Sequence, residues 1–501
     1  MPNRISLQEL ESHLWGAAII LRGLVDAGDY KQFIFPLLFF KRLSDVWDEE
    51  YGQAFKESAD KAYAQGMANE RFTIPDNAHW NLIRETTKDV GLAIQNALRS
   101  IESANPDRLD GIFGEAPWTN KERLPDHTLK NLLEHFSKHT LSIANVPEDE
   151  LGNAYEYLIK QFADDSGHTA QEFYTNRTVV HLMVQMLDPK PGERIYDPTC
   201  GTGGMLISAL DKVKRNGGEY RTLKLYGQER NHMTASIARM NLALHGVDDF
   251  AIARGDTLEN PAFIEHDRLA TFDVVLANPP YSIKQWNREA WMTDVWGRNF
   301  LGTPPQGRAD YAFFQHNLKS MDPKTGRCAI LFPHGVLSRI DELDMRKGLV
   351  ENDLVETVIG LGKNLFYNSP MEACILICRS QKPIDRKGQI LFIDGVSEVT
   401  REHSVSYLKT ENQKRISQVY QEFTNIYGFS KISSLEEIRA SGYSLSIQLH
   451  VKGQRVLNSK VVPNLQTVYN QWNQSSTELH QKLEDLNNLL DGSITGVIKN
   501  G

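Results

Sequence analysis

A chain of 501 residues with 41% hydrophobic and 24% charged residues has the balance of a globular protein of roughly three domains, which excludes a disordered chain, a fibre and a disulfide scaffold. The net charge of -9 is uneven: residues 1–150 sum to -8, 151–410 to -2 and 411–501 to +1, so no basic run equips the chain to grip duplex DNA alone. The longest apolar stretch, Phe33 to Phe40, contains Pro36 and falls far short of the ~20 residues of a bilayer span, and MPNRISLQEL carries no secretory signal, so a cytoplasmic location without membrane contact is expected.

Residues 1–140 read as an N-terminal helical domain. In LQELESHLWGAAIILRGLV, Leu7, Leu10, Leu14, Ala17, Ala18 and Leu21 recur at steps of three and four, and residues 29–48 continue apolar around Pro36 without strand alternation. NVPEDELGN, residues 145–153, reads as an acidic, turn-rich connector.

From about residue 190 an apolar strand, a polar turn and a helix alternate, which predicts an α/β domain over 150–410 with a largely parallel sheet. The expected strand ends Asp197, Glu229, Asp256 and Asn278 are 32, 27 and 22 residues apart, the lengths of successive βα units. Further strands are expected at CAILFP, VETVIGL, ACILIC and ILFID, carrying the sheet to about residue 400. Cys374 and Cys378 lie in the apolar run EACILIC and read as buried strand thiols; with Cys200 and Cys328 scattered elsewhere, no metal site is expected. Residues 411–501 read as a helical tail, with Leu465, Val468, Trp472, Leu479, Leu483, Leu486 and Leu490 forming a stripe broken at Ser475 and Ser476.

Asn278-Pro279-Pro280-Tyr281 follows the strand TFDVVLA, at the end of a sheet where ligands bind. Alone, the tetrapeptide is equally ordinary turn chemistry. An aromatic amine whose lone pair is drained into its ring needs acceptors for both N–H groups, and an Asn oxygen with a rigid Pro carbonyl supplies them while Tyr stacks on the ring. YDPTCGTGGM places Asp197, Thr199, Cys200, Gly201, Thr202, Gly203 and Gly204 at a strand-to-helix turn, where glycines admit a ligand to the backbone. The turn fits neither the Walker pattern nor GxGxxG. Glu229, at the next strand end, can hold ribose hydroxyls, and Asp256 in RGDT can accept from an adenine amino group.

DPTCGTGG followed by NPPY resembles the S-adenosylmethionine-dependent N6-adenine DNA methyltransferases. HTAQEFYTNRTVVHLMVQML, residues 168–187, is similar to that family's cofactor-covering segment, with Asn176 where the family has Pro. Residues 14–45, 308–321 and 326–339 resemble, more closely, the modification subunit of type I restriction-modification enzymes.

The resemblance implies a Rossmann-like α/β methyltransferase sheet flanked by an N-terminal helical domain and a C-terminal helical tail. It implies S-adenosylmethionine contact by Gln171, Glu172, Phe173, Tyr174, Thr175 and Asn176, by the loop from Asp197 to Gly204, and by Glu229 and Asp256. Asn278, Pro279, Pro280 and Tyr281 would hold an adenine flipped from double-stranded DNA. The implied partners are a specificity subunit carrying two copies of this chain and, in the full complex, a restriction subunit with motor and nuclease. NPPY also occurs in protein-glutamine and RNA-guanine N-methyltransferases, and a silent cofactor-binding scaffold is the alternative of another class.

Overall fold

The computed structural model describes residues 4–165, 175–247, 249–365, 372–402 and 405–451, and within the last stretch of the chain 474–477, 479 and 481–482. Residues 1–451 form one unit and 452–501 a second. The first unit begins with helices, chief among them α1 (Leu7–Leu21), α2 (Lys31–Ser58), α3 (Val90–Ala104), α4 (Asp126–Phe136) and α5 (Glu148–Asp165). Ser6 caps α1 by accepting from the Glu9 amide, and the face expected from the spacing is buried at Leu10, Leu14, Ala17, Ala18 and Leu21, while Leu7 is 37% exposed. The run from Phe33 to Phe40 is buried all round because α2 is enclosed by its neighbours, with Pro36 inside it.

The expected connector is instead the start of α5. Glu148, Asp149 and Glu150 form its first turn, where unpaired amides favour acidic side chains, so a helix start carries the composition of a turn.

Among the described residues nine strands form one sheet: β1 (Arg194–Asp197), β2 (Lys224–Glu229), β3 (Phe250–Arg254), β4 (Val274–Ala277), β5 (Arg327–Pro333), β6 (Val355–Leu361), β7 (Ala373–Arg379), β8 (Gln389–Gly395) and β9 (Ser430–Ser434). Their order is β9-β8-β6-β7-β5-β4-β1-β2-β3. The expected strands all occur, and the sheet is largely parallel. However, β7 runs antiparallel between β5 and β6, and β9 pairs antiparallel with β8. An apolar strand buried on both faces reads the same in either direction, so the reversal of β7 leaves no trace in its composition.

Side chains alternate between two cores. Ile195, Val274, Leu276, Ala329 and Leu331 point to one face, covered by α6 (Arg177–Leu187), α7 (Gly204–Arg215), α8 (His232–Leu244) and, after the sheet's eighth strand, residues Thr410–Glu422. Tyr196, Val275, Ala277, Cys328, Ile330 and Phe332 point to the other, covered by α9 (Asp310–Lys319) and α10 (Leu343–Glu351). Helix α8 is shared: Ala235, Ala238 and Leu242 join the sheet core, while Ile237, Met240 and Leu244 join the core of the N-terminal helices.

One expectation about the C-terminal stretch is corrected. Residues 411–451 belong to the sheet unit and not to a tail, because Ile416, Val419, Tyr420 and Phe429 are part of its core and β9 extends the sheet; SKISS is too polar to read as a strand. Ser475 and Ser476, which interrupt the apolar spacing of the stripe, lie in the helical residues 474–477. Leu479 is 60% exposed, and the other residues of the stripe lie outside the described ones. Cys374 and Cys378 are buried in β7. Among the described residues no helix is long and apolar enough to cross a membrane.

Candidate active site

Strand β1 pairs with β2 on one side and β4 on the other, so the chain winds outward in opposite directions from this point, and in open α/β sheets ligands bind at the carboxyl ends of the two strands at such a switch. The Gly loop leaves β1 there, and Asn278 to Tyr281 leave β4 beside it.

In the Gly loop, Asp197 accepts from the Thr199 amide at 3.0 Å, and the Cys200 amide donates to the Gln228 carbonyl at 3.0 Å. Gly201 (φ +53°) and Gly203 (φ +82°) adopt left-handed backbone, and a Cβ at Gly201 would meet open space. Glu229 fastens the loop from β2: one carboxylate oxygen accepts from the Gly201 amide at 3.0 Å and the other from the Asn231 amide at 2.7 Å. From α8, the Asn241 side chain donates to the Thr202 carbonyl at 2.9 Å. Asp197 is buried, and that burial, with the Glu229 carboxylate nearby, pushes its carboxyl up to about 8.

Asp256 follows β3 and accepts from the Leu258 amide at 2.9 Å, with Arg230 3.6 Å from its other oxygen. The neighbouring carbonyls are held from a distance. The guanidinium of Arg298, 2% exposed, donates to the Thr257 and Leu258 carbonyls at 2.8 Å each and pairs with Asp294 at 2.6 Å. The segment following Asn278 to Tyr281 is thereby bolted to the loop following β3.

At the end of β4, the Asn278 side-chain amide donates to Thr175 Oγ1 at 2.8 Å, and the Tyr281 hydroxyl donates to Asn278 Oδ1 at 2.9 Å. These bonds fix which way the amide faces. Pro279 is buried, while Asn278, Pro280 and Tyr281 are half-buried, so the turn is accessible yet firmly rooted. Burial raises the Tyr281 phenol well above its ordinary value, so it stays a neutral donor.

Among the described residues, the expected site residues lie at neighbouring strand ends, with different duties. Gln171, Glu172, Phe173 and Tyr174 lie outside the described residues. Thr175 touches Asn278. Asn176 caps α6 by accepting from the Thr178 amide and donates to the Ser406 carbonyl, which occupies its side chain structurally; Asn before a helix is a preferred cap. The Cys200 side chain is core, lodged where a Cβ on Gly227 would lie 2.9 Å from its sulfur, so only its backbone faces the loop. Trp286 is half-buried against the cluster of Trp291, Ala309, Ala312 and Phe313. Asn241 and Arg298 are contributors that sequence reasoning missed, because their partners at Thr202, Thr257 and Leu258 are far away in the chain.

The N-6 DNA methylase family matches residues 146–459, and the HsdM N-terminal domain family matches residues 10–136. The chain is 33% identical over 447 residues to the type I restriction enzyme MjaVII methylase subunit of Methanocaldococcus jannaschii, covering 84% of this chain and 74% of the relative. It is 29% identical to the HindI methylase subunit of Haemophilus influenzae, covering 74% and 88%. Among solved structures, the methyltransferase subunit of the type I restriction-modification system of Streptococcus thermophilus superposes with a TM-score of 0.79 at 28% identity, covering 89% of this chain and 100% of that one. The chain belongs to the N-6 DNA methylase family, among the methyltransferase subunits of type I restriction-modification systems.

Proposed function

We propose that Asn278 Oδ1 and the Pro279 carbonyl accept the two N–H groups of a flipped adenine while the Tyr281 ring stacks on it, with Pro280 stiffening the turn. The chain is an adenine-specific DNA methyltransferase that uses S-adenosylmethionine, which settles the glutamine, guanine and silent-scaffold alternatives left open by the tetrapeptide. The observation that carries the site reading is the hydrogen-bonded series Thr175, Asn278, Tyr281 at the switch point of the sheet, next to the Gly loop. Asn is no base. Its contribution is to hold the N6 lone pair toward the methyl donor, with the proton lost to solvent after transfer.

The residues around the Gly loop fit the cofactor. Thr199 Oγ1 is buried with no partner among the described residues, and the space over Gly201 is open. S-adenosylmethionine supplies a methyl group activated by a sulfonium. Glu229 would hold its ribose hydroxyls, Asp256 its adenine amino group, and Asp197 with the Thr199 to Gly204 backbone its charged end.

Within a type I complex the chain works with DNA and protein partners. We infer a specificity subunit that carries two copies of this chain and reads the DNA site, with a restriction subunit joining the full complex. The support is the charge: a chain of -9, with -8 in its first 150 residues, lacks the basic surface that duplex binding and base flipping require. The C-terminal stripe from Leu465 to Leu490, whose spacing of three and four suits a helix laid against partner helices, is the proposed assembly element. A chain truncated at Gln454 should bind cofactor as the full chain does, but fail to co-purify with the specificity subunit or methylate its site. Normal assembly of the truncated chain, or efficient methylation of one motif by the full chain alone, contradicts this division of labour.

A further inference from the structure

Beneath the turn formed by Asn278 to Tyr281 lies a buried ionic cluster. The Ser282 amide donates to Asp310 at 2.6 Å, the other Asp310 oxygen takes Arg339 at 2.7 Å, and Arg339 reaches Glu342 at 3.2 Å. The side chains of Asp310 and Glu342 are 0% exposed, and one Glu342 oxygen has no partner among the described residues. Two carboxylates and one guanidinium in the interior are poorly accounted for as a stability device, since an apolar cluster of equal volume does as well or better.

What the cluster holds is unusual. Ser282 has φ +51°, a left-handed backbone that residues with a Cβ adopt at a cost. The chain has little freedom around it. Pro279 and Pro280 fix their own φ angles, and the Tyr281 hydroxyl must fold back to Asn278 three residues earlier. The remaining freedom lies at Ser282, where the chain turns away toward the segment bolted down by Arg298.

We propose that Asp310 is the positioning residue of this turn: its carboxylate holds Ser282 left-handed, and thereby keeps Tyr281 folded onto Asn278 in the geometry that receives adenine. The proposal rests on the reading of Asn278 to Tyr281 as the adenine site. Asp310 touches neither base nor cofactor. Its effect belongs on the rate of transfer and not on cofactor affinity.

The test is a double-mutant cycle in the methylating complex, reading the single-turnover rate of tritiated methyl transfer to unmodified host DNA alongside cofactor affinity by calorimetry. D310A should slow transfer about tenfold, as expected for releasing one left-handed residue, with cofactor affinity within about twofold of the parent. Glycine adopts that conformation freely, so in an S282G background the same D310A change should slow transfer less than about threefold. A purely architectural Asp310 would show no such rescue. S282V opposes the left-handed backbone and also removes the 3.5 Å bond from the Ser282 hydroxyl to Asp310, so S282A is its control. S282V should slow transfer at least tenfold and clearly more than S282A, and the pair decides the matter if D310A fails to fold. An equal D310A loss in both backgrounds, or parental turnover by S282V, overturns the positioning role. N278A separates the two readings: if N278A is inactive while D310A is unaffected, only this proposal falls, whereas an active N278A overturns the site beneath it.

Discussion

Asn278 and Thr175 are 103 residues apart, and the side-chain amide of the first donates to the hydroxyl of the second at 2.8 Å. The segment that resembles a cofactor cover therefore also orients the Asn278 side-chain amide. With its nitrogen tied to Thr175 and its oxygen already accepting from Tyr281, the contact proposed for an amine falls to the oxygen's second lone pair.

Thr175→Val keeps the shape and removes the acceptor. Loss of one hydrogen bond of about 0.5 to 1.5 kcal/mol should slow methyl transfer roughly two- to tenfold, while Thr175→Ser retains the parental rate. Single-turnover transfer under saturating cofactor measures this; equal rates for Val and Ser would remove Thr175 from the orientation of Asn278.

Glu229→Ala takes away the acceptor of both the Gly201 and Asn231 amides as well as the proposed ribose partner. A charge-assisted bond of about 1.5 to 3 kcal/mol predicts cofactor binding weaker by roughly ten- to over a hundredfold. Calorimetry on the isolated chain reads it directly. Unchanged affinity would exclude Glu229 from the cofactor site.

Asp197 predicts a pH dependence. Its carboxyl is raised by burial to about 8, so it is largely neutral at pH 7 in the unliganded chain. A carboxyl raised on folding gives its full contribution to stability below its unfolded value, and this is lost as pH rises through the folded one, so the unliganded chain loses stability between roughly pH 4 and 8 through this group. A cationic ligand at the Gly loop favours the ionised form. Cofactor binding should then release a proton and tighten as pH rises from 6 toward 8. Calorimetry in two buffers of different ionisation enthalpy counts the proton, and Asp197→Asn should abolish that share of the release.

The strands and the Gly loop were legible because apolar runs and turn residues are local signals. Asp197, Glu229, Asp256 and Asn278 were read as strand ends and stand at or just beyond them. What escaped was relational. The hydroxyl of Thr175 and the carboxylate of Asp310 act on residues 103 and 28 positions away, which periodicity does not record. The antiparallel β7 escaped because burial on both faces erases direction, and α5 because an acidic helix start has the composition of a turn. Asn176, which stands where the family has Pro, is a helix cap, a role that depends on a helix start the motif does not announce.

In the proposed site Asn278 acts on the target amine and not on the cofactor. Asn278→Ala in the assembled enzyme should bind S-adenosylmethionine with nearly parental affinity and transfer no measurable tritiated methyl group to DNA that the parent modifies, because the lost contact is one made in aligning the flipped base and in the transition state. Transfer at the parental rate by Asn278→Ala would contradict the account.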